Sequence, residues 1–157
     1  MENIVLLRKE LGLTQAQAAA MFGVSMRSYQ EYETNKNKIG TIKYKYFVDK
    51  YNEMLYIDEN TGLLTVEKIK NICSQVFKDY EVRSCYLFGS YAKHKENPKS
   101  DVDLLIDTTV SGIDFYALAE ILREKLHKKV DLLDIRRTDE FKELLSDILK
   151  EGIKIYG

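Results

Sequence analysis

Residues 87–107 read LFGSYAKHKENPKSDVDLLID, and the spacing inside this stretch decides how the second part of the chain folds. The apolar run VRSCYLF, residues 82–88, stops at Gly89-Ser90; ten residues later Asp101 and Asp103 stand two apart at the head of a second apolar run. The first run predicts a strand entering a turn, and SYAKH after Gly89 is compatible with a helix start. In a strand, side chains two apart share a face, so Asp101 and Asp103 project together with Cα atoms roughly 6.6 Å apart. Two ionised carboxylates so placed repel. Without a cation one of them takes a raised pKa, and with Mg²⁺ the pair becomes a set of hard oxygen ligands. The chain's single proline, Pro98, fixes the turn that returns the connector to Ser100 and the aspartates.

Outward from this stretch, Thr65 to Tyr80 places Val66, Ile69, Ile72, Cys73, Val76, Phe77 and Tyr80 on one helical stripe. After DVDLLID come a helix over residues 113–127, a third strand in KKVDLLDI (128–135), and a helix over 138–152 that ends at Gly152. Asp131 sits in the third strand at a depth similar to the paired aspartates and is a candidate third carboxylate. The amides at Gly89-Ser90, with the serine hydroxyl, suit an anion, and Lys93 and Lys99 add positive charge. An anion cradle, a carboxylate pair and a third acid are the parts that nucleotidyl transfer needs. Two metal ions about 3.5–4 Å apart hold a triphosphate and activate an attacking hydroxyl in such sites.

In front of residue 57 every periodic segment reads as helix: 2–11, 14–22, 25–33 and about 42–54. The polar turn formers of YIDENTGLL (56–64) separate the two textures. The expected organisation is therefore a domain over 1–56, a linker over 57–64 and a domain over 65–157. The expected fold class is α+β: an all-α helix-turn-helix domain, then a small α/β domain whose mixed sheet is flanked by helices. Thr14 with Gln17 fits a capping box, Ser25 opens the next helix, and Ala18, Ala19 and Ala20 let the two helices approach closely. The second of these helices is expected to expose Met26, Arg27, Ser28, Gln30 and Glu31 while Val24 and Tyr29 pack inward. Arg27 and Gln30 carry donors that can read guanine or adenine edges.

LRKELGLTQAQAAAMFGVSMRSYQEYE, at residues 7–33, resembles the Cro/repressor (Xre) type of helix-turn-helix, in its Leu7, Arg8, Leu13, Thr14, Gln15, Ala19, Gly23, Tyr32 and Glu33. That resemblance covers about residues 4–54. It implies that Gln15 binds a backbone phosphate of operator DNA and that Arg27, Ser28, Gln30 and Glu31 face bases. Behind it, Tyr44, Phe47, Val48 and Tyr51 recur at helical spacing, which predicts a core-facing stripe; a homodimer face is the alternative.

The arrangement of Phe88, Gly89-Ser90, ten residues, then Asp101 and Asp103, with an acidic third strand, is similar to the DNA polymerase β-like nucleotidyltransferase superfamily. Within it, LFGSYAKHKENPKSDVDLLID resembles the minimal nucleotidyltransferases (MNT), over about residues 65–157. The resemblance implies that Gly89 and Ser90 hold the triphosphate of ATP, aided by Lys93, that Asp101 and Asp103 hold two Mg²⁺ ions, and that Asp131 completes the carboxylates. Lys93 stands where the family usually has Arg, and His94 where it usually has Gly. Minimal nucleotidyltransferases of the MntA type are antitoxins paired with HEPN-domain ribonuclease toxins, to a tyrosine of which they transfer AMP. The resemblance thus implies a Mg²⁺-dependent protein adenylyltransferase with a HEPN toxin as partner from a neighbouring gene, and operator binding by the front domain for autoregulation. The alternative is a weak or inactive transferase fold that neutralises its partner and represses transcription by binding alone.

Composition narrows the remaining classes. The chain has 157 residues, 45% of them hydrophobic, with 24 Lys/Arg against 25 Asp/Glu for a net charge of −1. Residues 1–56 carry eight Lys/Arg against six Asp/Glu and the rest sixteen against nineteen, so the two parts differ in sign. The charged first residues form no signal peptide and no long apolar run spans a membrane, so a cytoplasmic protein is expected. Cys73 and Cys85 show neither zinc-ligand nor disulfide spacing and read as small buried hydrophobes.

Overall fold

The computed structural model describes residues 2–140 and 142–157; Phe141, inside the last helix expected from sequence, lies outside them. The chain divides into two compact units, Met1–Tyr56 and Ile57–Gly157. No described helix is long and apolar enough to cross a membrane.

The first unit contains α1 (Ile4–Glu10), α2 (Gln15–Met21), α3 (Met26–Thr34), a 3-10 turn at Lys36–Lys38 and α4 (Ile42–Leu55). Each α-helix opens on a side-chain cap: Asn3, Thr14, Ser25 and Thr41 accept from the backbone two or three residues on, and Thr14 with Gln17 forms the full reciprocal box. Ala18 and Ala19 are buried where α2 meets α3. Tyr44, Phe47 and Tyr51 of α4 are buried against Tyr29 and Phe22, with the Phe22 and Phe47 rings 4.2 Å apart and the Tyr29 and Tyr51 hydroxyls 2.6 Å apart. The aromatic stripe is thus core.

An ion pair lies within this core. The Arg8 guanidinium donates to Glu33 Oε1 at 2.6 Å and to the Leu13 carbonyl at 2.7 Å, while Gln15 donates to Glu33 Oε2 at 2.7 Å. The two charged side chains are only 10% and 4% exposed. Burial pushes the Glu33 carboxyl upward, but its bonds to Arg8 and Gln15 outweigh that and hold it below the ordinary carboxylate value. A depressed folded-state value means stability present above the unfolded value, near 4.5, and lost as pH falls through the lower folded one. Removing one partner strands the other as a buried charge, which costs about 3 kcal/mol. Glu33→Gln is therefore expected to speed hydrogen exchange in α1 and α3 on the order of 100-fold at pH 7, with the second unit unaffected. Exchange resolved by segment checks this.

The second unit runs α5 (Val66–Phe77), β1 (Val82–Phe88), the single turn α6 (Gly89–Ala92), β2 (Val102–Thr108), α7 (Ile113–Leu126), β3 (Val130–Asp134), a 3-10 segment Ile135–Glu140, α8 (Lys142–Glu151) and β4 (Ile153–Tyr156). The sheet has the order β3-β2-β1-β4; β1 pairs antiparallel with both β2 and β4, and β2 pairs parallel with β3. This is the mixed sheet that the strand pattern predicts. Ile69, Cys73 and Phe77 of α5 and Leu118, Leu122 and Leu126 of α7 pack with Cys85, Leu87, Leu104 and Ile106 on one face of it. By the two-residue period the other face carries Phe88, Asp103, Leu105 and Asp131, and α8 borders it. Both cysteines are fully buried, and burial pushes the Cys73 thiol up to about 12, so neither is a nucleophile at neutral pH.

Two features differ from the sequence expectation. The last helix begins later than residue 138: Asp134 accepts from the Arg136 backbone and guanidinium, which turns the chain into the 3-10 segment, kinked at Arg137, ahead of α8. The chain does not end at the helix, because beyond Gly152 it returns as β4 beside β1.

Candidate active site

The site is built where β1 ends and β2 and β3 begin. Antiparallel register sets Phe88 opposite Asp103, and parallel register sets Asp103 opposite Asp131. Gly89 leaves β1 with φ +71, and a Cβ there would stand 2.1 Å from Asp103 Oδ2. Only glycine fits, since both the left-handed conformation and the space taken by the carboxylate exclude a side chain. Burial pushes the Asp103 carboxyl up to about 6, with Asp131 and Asp101 adding like-charge repulsion. Asp103 is partly buried, whereas Asp101 and Asp131 are exposed. The structure therefore brings the three predicted carboxylates within electrostatic reach, although among the described residues no three such groups are gathered at ligating spacing.

The connector between Gly89 and Asp101 is internally bonded. Lys93 and Lys95 amides donate to the Gly89 and Ser90 carbonyls, at 3.1 and 3.0 Å. At the tip, Asn97 N–H donates to Ser100 Oγ and Lys99 N–H to Asn97 Oδ1, each at 2.9 Å. His94 takes φ +54, a left-handed conformation in which a side chain is uncommon, so the residue in the family's usual glycine position keeps a glycine-like backbone.

A cleft of about 190 Å³ opens beside Gly89, lined by Phe88, Ala92, Lys93 and Asp103 and, from α8, by Leu144, Asp147, Ile148 and Glu151. Lys93 reaches it, yet its ammonium pairs with Glu151 Oε2 at 3.1 Å. Both side chains are about half exposed, so the pair is weak and its lysine can exchange partners. The acidic wall from α8 is invisible in the sequence because it depends on how the chain returns. Equally unannounced is Lys128, fully buried, whose ammonium donates to three backbone carbonyls. A larger cleft, about 290 Å³, lies near Arg136 and Phe115 beside Asp134, the last residue of β3, away from the carboxylates.

Among the described residues of the first unit, α3 exposes Met26, Arg27 and Glu31, while Ser28 and Gln30 are partly buried and Tyr29 is fully so. Gln30 donates to Gln15 Oε1 at 3.0 Å, and Gln15 in turn rests on Glu33. The two glutamines expected at a phosphate and at a base are thus bonded to each other at the head of α2 and along α3.

Residues 67–157 match the family model described as polymerase beta, nucleotidyltransferase. The chain belongs to that family. In front of the nucleotidyltransferase domain, residues 4–42 match the helix-turn-helix model. A Methanocaldococcus jannaschii relative, MJ0128, is 36% identical over 75 residues, spanning 44% of this chain and 76% of that one. Protein adenylyltransferase MntA of Thermococcus cleftensis is 35% identical over 78 residues, 46% of this chain and 79% of its own. MntA of Shewanella oneidensis is 32% identical over 74 residues, 46% of this chain and 52% of its own. A crystal structure of a toxin–antitoxin pair with AMP-PNP superposes with a TM-score of 0.51 at 26% identity, covering 56% of this chain and 73% of that one.

The carboxylate cluster has a measurable cost without a cation. A folded value raised to about 6 means that Asp103 destabilises the fold increasingly as pH rises from its unfolded value near 3.8 through 6. Partial exposure screens the effect, leaving about 1 kcal/mol. In the presence of a chelator, Asp103→Asn is expected to unfold a few degrees above the native protein at pH 7.5 and to lose that advantage by pH 4. Thermal unfolding across pH measures it.

Proposed function

We propose that this nucleotidyltransferase is the antitoxin of a toxin–antitoxin pair and transfers AMP from ATP to a tyrosine of a HEPN-type toxin. The observation that carries the reading is the seating of Asp103 against Gly89 with Asp131 opposite it, because a partly buried carboxylate beside like charges is unfavourable unless a hard cation joins them. The naming of two relatives as protein adenylyltransferases and the similarity to a toxin–antitoxin structure with AMP-PNP support the same direction.

Asp101, Asp103 and Asp131 are the residues that would hold Mg²⁺, two ions in the family pattern. The donor chemistry fits, being carboxylate oxygen alone, and the three groups would draw together around the ion to reach ligating spacing. When bound, the metal neutralises the triphosphate and lowers the barrier to displacement at the α-phosphorus. Gly89 and Ser90 hold the phosphates through backbone amides and the serine hydroxyl, with no Cβ to keep the nucleotide away from Asp103. Lys93 leaves Glu151 for the phosphates. The tyrosine oxygen forms a bond to the α-phosphorus, the bond from that phosphorus to the β-phosphate oxygen breaks, and pyrophosphate departs. Asp131, exposed at the head of β3, takes the phenolic proton. In the first unit, Arg27, Ser28, Gln30 and Glu31 face bases and Gln15 a phosphate, so that the antitoxin represses its own promoter. The Gln15–Gln30 bond holds the two side chains in register for that role.

The test incubates the full chain with α-labelled ATP, Mg²⁺ and the product of the neighbouring gene. Label is expected on a tyrosine of that product, with an Asp101→Asn, Asp103→Asn double variant at least 1,000-fold slower. Binding of the two proteins without label transfer would favour neutralisation by contact alone.

A further inference from the structure

We infer that Lys128 is a positioning residue for the transfer site: its buried ammonium pins the connector that separates Gly89-Ser90 from Asp101 and Asp103. The activity at stake is the one under Proposed function, and the inference rests on that reading.

Lys128 has no exposed surface. Its Nζ donates to the Pro98 carbonyl at 2.5 Å, to Gly62 at 2.8 Å and to Thr61 at 3.2 Å, so all three of its protons are used. Pro98 lies in the connector, three residues before Asp101, and Thr61 and Gly62 belong to the segment leading into α5. The connector's own bonds, Asn97 to Ser100 and Lys99 to Asn97, fix the shape of its tip but not its place against the sheet. Tyr91 and Ala92 anchor the start of the connector in the core and Glu96 and Ser100 are partly buried, but Lys93, His94, Lys95, Asn97, Pro98 and Lys99 are exposed, so packing holds the far end of the connector less than its start. That far end is tied by the Lys128 ammonium at Pro98, together with the neighbouring backbone, where Val102 N–H donates to the Lys129 carbonyl at 2.9 Å. One dipeptide, Lys128-Lys129, therefore fixes the start of β2 and leads directly into β3 and Asp131.

A buried ammonium bonded to three carbonyls, with the Asp58 charge acting on it, is a costly way to fill space, and an apolar side chain of similar length would pack there at lower cost. Its distinctive property is direction. Three bonds from one atom tie two chain segments, 61–62 and the connector, to the residue that leads into β3, and displacing a catalytic group by 1 Å costs about 100-fold in rate.

Lys128→Met keeps the stem and removes the donors. The full chain is measured in two ways: hydrogen exchange of residues 95–102, which needs no activity, and AMP transfer to the toxin as a function of Mg²⁺. Exchange in 95–102 is expected to rise at least tenfold with α5 and α7 unchanged. The maximal rate should fall 10- to 100-fold, the Mg²⁺ concentration for half-maximal rate should rise, and Lys128→Arg should recover part of both effects. Unchanged exchange, or a loosened connector with unchanged rate and Mg²⁺ dependence, overturns the inference. If Lys128→Met does not fold, Lys128→Gln, which keeps one donating group, takes its place with the same expectations; if neither folds, Lys128 serves folding and the inference is overturned. A native protein inactive on the toxin would count against the AMP-transfer reading, while the exchange result would still decide whether Lys128 holds the connector.

Discussion

Asp103 occupies the space that a side chain on residue 89 would fill, and the rest of the site follows from that contact. Because a Cβ at position 89 would meet the carboxylate at 2.1 Å, β1 has to end in glycine, and the left-handed backbone there turns the chain away from the sheet. The carboxylate is thereby partly withdrawn from water, with Asp131 opposite and Asp101 beside it, and its pKa climbs to about 6. The apolar face formed with α5 and α7 supplies the rigidity that keeps these like charges together. Negative charge concentrated at one end of a sheet is unfavourable by itself and becomes favourable when a cation joins it.

Much of this was legible in the sequence because short periods carry it. Alternation in DVDLLID puts Asp101 and Asp103 on one face, KVDLL adds Asp131 one strand over, and Thr14 with Gln17 and Ser25 announce their helices through local bonds. What was not legible depends on chain segments distant from one another. Nothing in HKK, residues 127–129, tells which lysine turns inward, since the carbonyls that receive it belong to residues 61, 62 and 98. Asp147 and Glu151 reach the cleft only because α8 returns across the sheet. The strand β4 is short, and IKIY after a helix-ending glycine gives two alternations, too few to separate a strand from a tail.

The first unit rests on different physics. A buried ion pair, Arg8 with Glu33, extends through Gln15 to Gln30 and ties α1, α2 and α3 together from within. Sequence pattern identified Arg8, Gln15 and Glu33 as part of a family signature, but their bonding to one another and to Gln30 emerges only in three dimensions. Gln15 and Gln30, which the sequence pattern assigns to a DNA surface, are first of all partners of each other. Their amide groups are oriented before any ligand arrives, which lowers the entropy lost when one binds.

The central claim is that the Gly89–Asp103 contact assembles a divalent-cation site. It is tested most directly by Mn²⁺ binding to the full chain with a non-hydrolysable ATP analogue, followed by electron paramagnetic resonance. The account predicts that the native protein binds Mn²⁺ and that Asp103→Asn and Gly89→Ala each weaken binding at least tenfold. Mn²⁺ bound equally well by all three proteins would contradict it.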